Sequence, residues 1–162
     1  MIAINPVGRC GSALLLASLL AGSLSWALPS IAQTPVPALT GHVVDQTGTL
    51  TSQQTSALEQ TLTDFETRKG SQLAVLLVPS SAPEAIEPYA LRVAEQWKLG
   101  RKKIDDGAIL VVAKDDRAVR IEVGYGLEGS IPDVQALRWI DELLPAMKRG
   151  EYADGLHHLL DQ

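Results

Sequence analysis

Two short stretches of the chain are apolar without interruption: Leu73-Ala74-Val75-Leu76-Leu77-Val78 and Ala108 to Ala113. Each is too short for a membrane helix, and runs of this kind are strands covered on both faces. A third stretch alternates, with Val119, Ile121 and Val123 separated by Arg120 and Glu122. That pattern predicts a half-exposed edge strand whose charges discourage further pairing. Lys114-Asp115-Asp116-Arg117 between the last two reads as a hairpin turn. Upstream, His42-Val43-Val44 is a short extended segment ending in Asp45.

Between these stretches the apolar spacing becomes helical. Thr51-x-x-Gln54 is a capping box, which predicts a helix from Ser52 with Ala57, Leu58, Leu62 and Phe65 inward and Gly70 as its left-handed stop. A second helix carries Pro88 in its first turn, buries Ala90, Val93, Ala94 and Trp97, and stops at Gly100. Pro132 opens a third, with Val134, Leu137, Ile140 and Leu144 inward and Pro145 disturbing or ending it. A last segment, roughly Tyr152 to Leu160, packs Leu156, Leu159 and Leu160. Two apolar strands joined by a helix should run parallel. The expected fold is therefore α/β: a three-layer α/β/α sandwich with a small mixed, mostly parallel sheet of about four strands and an antiparallel edge hairpin.

The N-terminus changes the picture of where this domain works. Arg9 is followed by a nearly unbroken apolar run from Ala13 to Leu28 and then Ser30-Ile31-Ala32. Basic, apolar and small-x-small regions in that order are the pattern of a secretory signal, with cleavage expected after Ala32. Residues 33–39, with Pro35 and Pro37, read as a linker, and 40–162 as the domain. Removing residues 1–32 leaves 13 basic and 19 acidic side chains, a net charge of −6. An acidic domain of this kind is a poor nucleic-acid binder. Cys10 is the only cysteine and lies within the signal, so the domain offers no disulfide, thiol nucleophile or cysteine metal site. The expected location is the periplasm or envelope.

Candidate chemistry follows from the hairpin. Its first strand begins after Asp105-Asp106-Gly107 and its second ends at Gly124-Tyr125-Gly126. Antiparallel pairing sets those ends side by side, which gathers Asp105, Asp106, Glu128 and Asp133 into one neighbourhood. Clustered carboxylates repel unless a cation or proton settles them, and Ca²⁺ or Mg²⁺ is the natural occupant. The plainer alternative makes Asp106-Gly107 a turn, Asp133 a helix cap and Glu128 a solvated side chain. Gly124-x-Gly126-x-x-Gly129 has the form of a dinucleotide fingerprint, but the strand before it is half-exposed and belongs to a hairpin. Its glycines are expected to supply positive φ for a tight loop. Ser80-Ser81 has no obvious base. His42 is expected to have a surface or packing role, as are His157 and His158.

Taken together, Gly41-His42-Val43-Val44-Asp45, Gly48-x-Leu50-Thr51, Trp97 to Gly107, Val119 to Gly129, Pro132-Asp133 and Pro145…Gly150-x-Tyr152 resemble a TPM domain, the family often labelled TPM phosphatase. The resemblance implies a secreted or membrane-attached α/β/α domain. Family members include proteins assigned acid phosphatase activity, proteins that bind Ca²⁺ and proteins that assist upkeep of membrane complexes. It implies an acidic site of Asp45, Asp105, Asp106, Glu128 and Asp133, with Asp106 and Asp45 as the catalytic candidates and Ca²⁺ favoured over Mg²⁺. It also implies an envelope or membrane protein complex as partner, and membrane attachment if the natural chain extends beyond Gln162. Asp45 reaches the other acids only if its segment pairs antiparallel or folds back. Of two readings, a cation-responsive binding module is favoured over a metal-supported phosphomonoester hydrolase, since no nucleophile is evident.

Overall fold

The computed structural model describes residues 33–160; the expected signal peptide lies outside them. The elements are β1 (Val43–Asp45), α1 (Ser52–Lys69), β2 (Gln72–Val78), α2 (Ile86–Trp97), β3 (Gly107–Ala113), β4 (Ala118–Val123), the 3₁₀ turn η1 (Tyr125–Leu127), α3 (Asp133–Lys148) and α4 (Tyr152–Leu160). The strands form one sheet in the order β1-β2-β3-β4. β1 and β3 both run parallel to β2, and β4 is antiparallel to β3.

The sheet is covered on both faces, which is why β2 and β3 carry no polar alternation. Val44, Leu76 and Val111 point to the layer built by α2, with Tyr89, Ala90, Val93 and Trp97. Val43, Val75, Leu77, Leu110 and Val112 point to the layer of α1, α3 and α4, with Leu58, Leu62, Leu143 and Leu156. Successive strand residues thus feed opposite cores, as the two-residue period requires. Helix α1 begins and ends as its sequence predicts. Thr51 and Gln54 form both halves of the capping box, and Gly70 at φ 79° closes the helix on the Glu66 carbonyl.

Three local expectations are revised. Helix α3 continues through Pro145 to Lys148 and buries Ala136 and Leu143, leaving Val134 71% and Leu137 58% exposed. Pro145 costs the helix one backbone hydrogen bond, to the Asp141 carbonyl four residues earlier, and α3 carries on past the gap for three residues. Helix α2 ends at Lys98, whose φ of 50° is left-handed, two residues before Gly100. Residues 34–37 do not hang free as a linker. Arg92 donates to the Thr34 carbonyl at 2.7 Å, Tyr89 to the Pro35 carbonyl at 3.3 Å, and Trp97 Nε1 to the Pro37 carbonyl at 2.8 Å. Val36 packs onto the α2 core.

β1 is a short edge strand, and α1 covers its open N–H groups. The Glu59 carboxylate accepts from the backbone N–H of His42 at 2.8 Å and of Val43 at 2.9 Å. His42 Nε2 lies 2.8 Å from Glu66, and Gln72 donates to the other Glu66 oxygen at 2.7 Å. Those two hydrogen bonds, Gln72 first, hold the Glu66 carboxyl below its ordinary value. The histidine thus ties β1 to α1.

Candidate functional site

The strand order places the sequence-predicted acids at two ends of the sheet. Asp106 immediately precedes β3, whose first residue, Gly107, pairs with Gln72 at the start of β2. Asp45 ends β1 and pairs with Leu77 near the finish of β2. Because both pairings are parallel, Asp45 stands at the opposite edge from Asp105 and Asp106, on the order of 15–20 Å away at ~3.3 Å per residue. It does not join the acidic neighbourhood. Its carboxylate organises the β1–α1 loop, accepting from the Thr47 N–H at 2.7 Å, the Thr47 hydroxyl at 2.6 Å and the Leu50 N–H at 2.8 Å. Burial pushes the Asp45 pKa up, but the Thr47 hydroxyl and the loop N–H groups outweigh it, and the net shift is downward.

At the starting edge, the two aspartates of the Asp105-Asp106 pair diverge. Asp106 is 2% exposed and turns inward. It accepts from the Arg101 backbone N–H at 2.7 Å, from Arg101 Nε at 2.8 Å, and from the second arm of the same guanidinium. The Arg101 guanidinium, then the Arg101 N–H, hold its carboxyl below the ordinary aspartate value. Asp105 turns outward in a left-handed conformation, φ 55°. Its Oδ2 accepts the Tyr125 N–H, and its carbonyl the Gly126 N–H, both at 3.0 Å. Glu128, after η1, and Asp133, in the first turn of α3, are exposed. Asp133 suits the positive end of its helix.

The hairpin argument therefore brings the 101–106 and 124–127 loops together as predicted, and glycines are what permit it. A Cβ on Gly107 would lie 2.4 Å from the backbone C and O of Leu99; one on Gly124, 2.3 Å from the Asp105 carbonyl oxygen; one on Gly126, 2.0 Å from the Ile104 carbonyl oxygen. Gly124 has φ −66°, so its role is close backbone approach and not the positive φ expected from sequence. Gly107→Ala should destabilise the fold by about 1–3 kcal/mol through overpacking against backbone. Gly129→Ala, with open space at its Cβ, should be near neutral. Urea unfolding of both variants checks the contrast.

Asp106 has a pH signature. Its folded pKa lies below the unfolded value, so its contribution to stability is complete above the unfolded pKa. That contribution is lost as pH falls through the folded pKa. Asp106→Asn should lower the melting temperature at neutral pH and flatten the remaining loss of stability below about pH 4, the ordinary aspartate range. Thermal unfolding from neutral to acid pH tests the sign, with Asp105→Asn as the comparison.

The outward face of the joined loops is a recess of about 210 Å³ lined by Glu95, Asp105 and Glu122, with Lys98 and the apolar Leu91 and Tyr125. Tyr125 is 79% exposed and Leu91 48%. Glu122 is paired with Arg120 at 2.9 Å. Sequence reasoning missed Glu95, because its place depends on α2 packing beside β4. It read Glu122 only as an edge charge. A Ca²⁺ ion takes roughly six to eight oxygen ligands. Among the described residues no three His, Cys, Asp or Glu side chains converge to hold a metal. The set Asp45, Asp105, Asp106, Glu128 and Asp133 does not fit one ion, since Asp45 is at the far edge and Asp106 is occupied by Arg101. A second pairing missed from sequence is Asp116 in the β3–β4 turn. It accepts from the Ser80 hydroxyl at 2.8 Å and the Ser81 N–H at 2.7 Å. The Ser81 N–H, then the Ser80 hydroxyl, hold its carboxyl below the ordinary value, so it is a poor base for either serine.

A four-stranded mixed sheet between helical layers, with interlocked glycine loops at its starting edge, defines a small α/β/α domain. The family model described as the TPM domain matches residues 43–162, and the chain belongs to that family. Solved structures agree. The N-terminal domain of a protein from P. gingivalis is 32% identical, with TM-score 0.70 over 78% of this chain and 87% of that one. The N-terminal domain of the cg2496 protein from Corynebacterium glutamicum is 15% identical, with TM-score 0.61 over 80% and 81%. The BA42 protein from Bizionia argentinensis is 20% identical, with TM-score 0.61 over 69% and 77%. The last two show likeness of fold alone. No curated protein matches the chain.

Proposed function

We propose that this TPM domain is an exported binding module of the cell envelope, which holds a basic segment of an envelope or membrane protein complex at the starting edge of its sheet. The observation that carries this reading is the recess in which Glu95 and Asp105, with Glu122 already paired to Arg120 and Lys98 as the one cation, lie beside the exposed Tyr125 and Leu91. Acids around exposed aromatic and aliphatic surface suit Lys or Arg side chains, whose stems pack while their heads pair. Hydrolysis is the weaker reading. Asp106 and Asp45, the two catalytic candidates, have their carboxylates engaged in holding their own loops and their pKa values lowered. A general acid needs a pKa near the working pH.

A photo-crosslinking amino acid at position 125 should capture a membrane-complex subunit in the envelope, and Glu95→Lys with Asp105→Lys should abolish the capture. Capture that survives both charge reversals would overturn the reading. Turnover of p-nitrophenyl phosphate that Asp106→Asn removes without unfolding the domain would establish the phosphatase instead. A melting-temperature titration addresses the cation. With Asp45 at the far end of the sheet and Asp106 held by Arg101, Ca²⁺ and Mg²⁺ at constant ionic strength should leave the midpoint unchanged. An ion-specific gain, about 2.7 kcal/mol at a hundredfold excess over the dissociation constant, would restore a calcium site.

A further inference from the structure

The opposite edge of the sheet carries a second feature of contrary charge. Beyond the finishing end of β3 lies a cavity of about 580 Å³ between the β3–β4 hairpin and the α3–α4 corner. Its walls include Val119, Leu144, Met147 and Tyr152, and its charged lining is Lys114, Arg117 and Lys148 with one acid, Asp115. This volume lies within the range of small-ligand sites, ~300–1,000 Å³. The finishing end of parallel strands is also where open α/β sheets bind ligands.

The charged lining is therefore net positive, three cations against one acid, on a chain of net charge −5. Four arginines, Arg92, Arg101, Arg120 and Arg149, each have a carboxylate within ion-pair distance. Among the described residues, Lys114, Arg117 and Lys148 have none. Lys114 is nevertheless held in place. Its ammonium donates to the Thr49 hydroxyl at 3.0 Å and stands 5.8 Å from the centre of the Tyr152 ring. Contacts to the β1–α1 loop and to α4 fix a half-buried cation that lacks a counter-charge. Such a group gains most from an anion that arrives with the ligand.

We propose that this cavity binds an anionic amphiphile: a phosphate or carboxylate head at Lys114, Arg117 and Lys148, and an alkyl body along Val119, Leu144 and Met147. The site is independent of the starting-edge recess and stands whether or not that recess binds a protein partner.

The test is an amide-shift titration of the intact protein with octyl phosphate below its micelle concentration, beside inorganic phosphate and octyltrimethylammonium at equal ionic strength. Saturable shifts over residues 112–119 and 144–152 are expected with octyl phosphate. Inorganic phosphate and the cationic amphiphile should bind at least tenfold more weakly. Lys114→Glu and Lys148→Glu should each weaken octyl phosphate at least tenfold, while Asp105→Asn leaves it unchanged. Lys148 is exposed in the last turn of α3, so its variant tests the site even if Lys114→Glu fails to fold. Phosphatidylglycerol vesicles that shift the same residues would assign the ligand to membrane lipid. The same shifts from octyl phosphate alone would assign it to a free amphiphile. No saturation with octyl phosphate, equal affinity for inorganic phosphate, or affinity untouched by Lys148→Glu would overturn the proposal.

Discussion

Leu76→Ala should cost the domain about 2–5 kcal/mol, the range for a fully buried leucine truncated in a core that cannot collapse around the gap. Leu76 has no exposed surface and sits between Val44 on β1 and Val111 on β3, in the layer covered by α2. Its neighbours are held by hydrogen bonds on both sides of β2, so the sheet cannot close on the space. Much of the lost packing should remain as a cavity. Leu143→Ala, 2% exposed in the other layer, should fall in the same range. Leu137→Ala should change stability by no more than about 0.5 kcal/mol, as an exposed position away from special features. Urea unfolding of the three variants, with a common slope, is the measurement. A large loss at Leu137 and a small one at Leu143 would mean that α3 presents its other face.

Trp97→Ala should be at least as damaging, about 3–5 kcal/mol for an aromatic truncated to alanine in a core. Trp97 is 8% exposed at the end of α2, and its indole N–H holds the Pro37 carbonyl. The substitution therefore removes core volume and releases the strap that crosses α2. Trp97→Phe separates the two effects. It keeps most of the packing and loses a hydrogen bond with a net contribution of about 0.5–1.5 kcal/mol. Both variants should make residues 34–38 more open to proteolysis, with Trp97→Ala alone showing the larger thermal loss. Unchanged cleavage there in Trp97→Phe would show that Val36 and the Arg92 contact suffice to hold the strap.

The acidic edge shows how far sequence reasoning reached. The meeting of the Asp105 and Tyr125 loops followed from the hairpin alone, because antiparallel pairing leaves one answer for which ends are neighbours. The separate fates of Asp105 and Asp106 did not follow. Adjacent residues turn in opposite directions here because Asp105 is left-handed, φ 55°, and Arg101 folds back onto Asp106. The side of Asp45 was equally hidden, since a three-residue strand pairs as readily one way as the other until a neighbour is given.

By itself, the sequence determined the elements whose cause is local: the α1 capping box and its glycine stop, the two buried strands with unbroken apolar runs, and the alternating edge strand. Short-range hydrogen bonding and side-chain period act within a few residues, so they are written in the chain. The tertiary structure alone decided which face of α3 turns inward. That helix offers two overlapping apolar stripes, one on Val134, Leu137, Ile140 and Leu144 and one on Ala136, Ile140, Leu143 and Met147. Packing against α4 and the sheet selected the second, burying Ala136 and Leu143 and packing Met147 against the core. It also decided that Gly124 and Gly126 serve close backbone contact, that residues 34–37 form a strap, and that Glu95, Asp105 and Glu122 line a recess at one edge of the sheet while Lys114, Arg117 and Lys148 line a cavity at the other. Each of these depends on surfaces supplied by residues distant in sequence, and no local pattern carries that information.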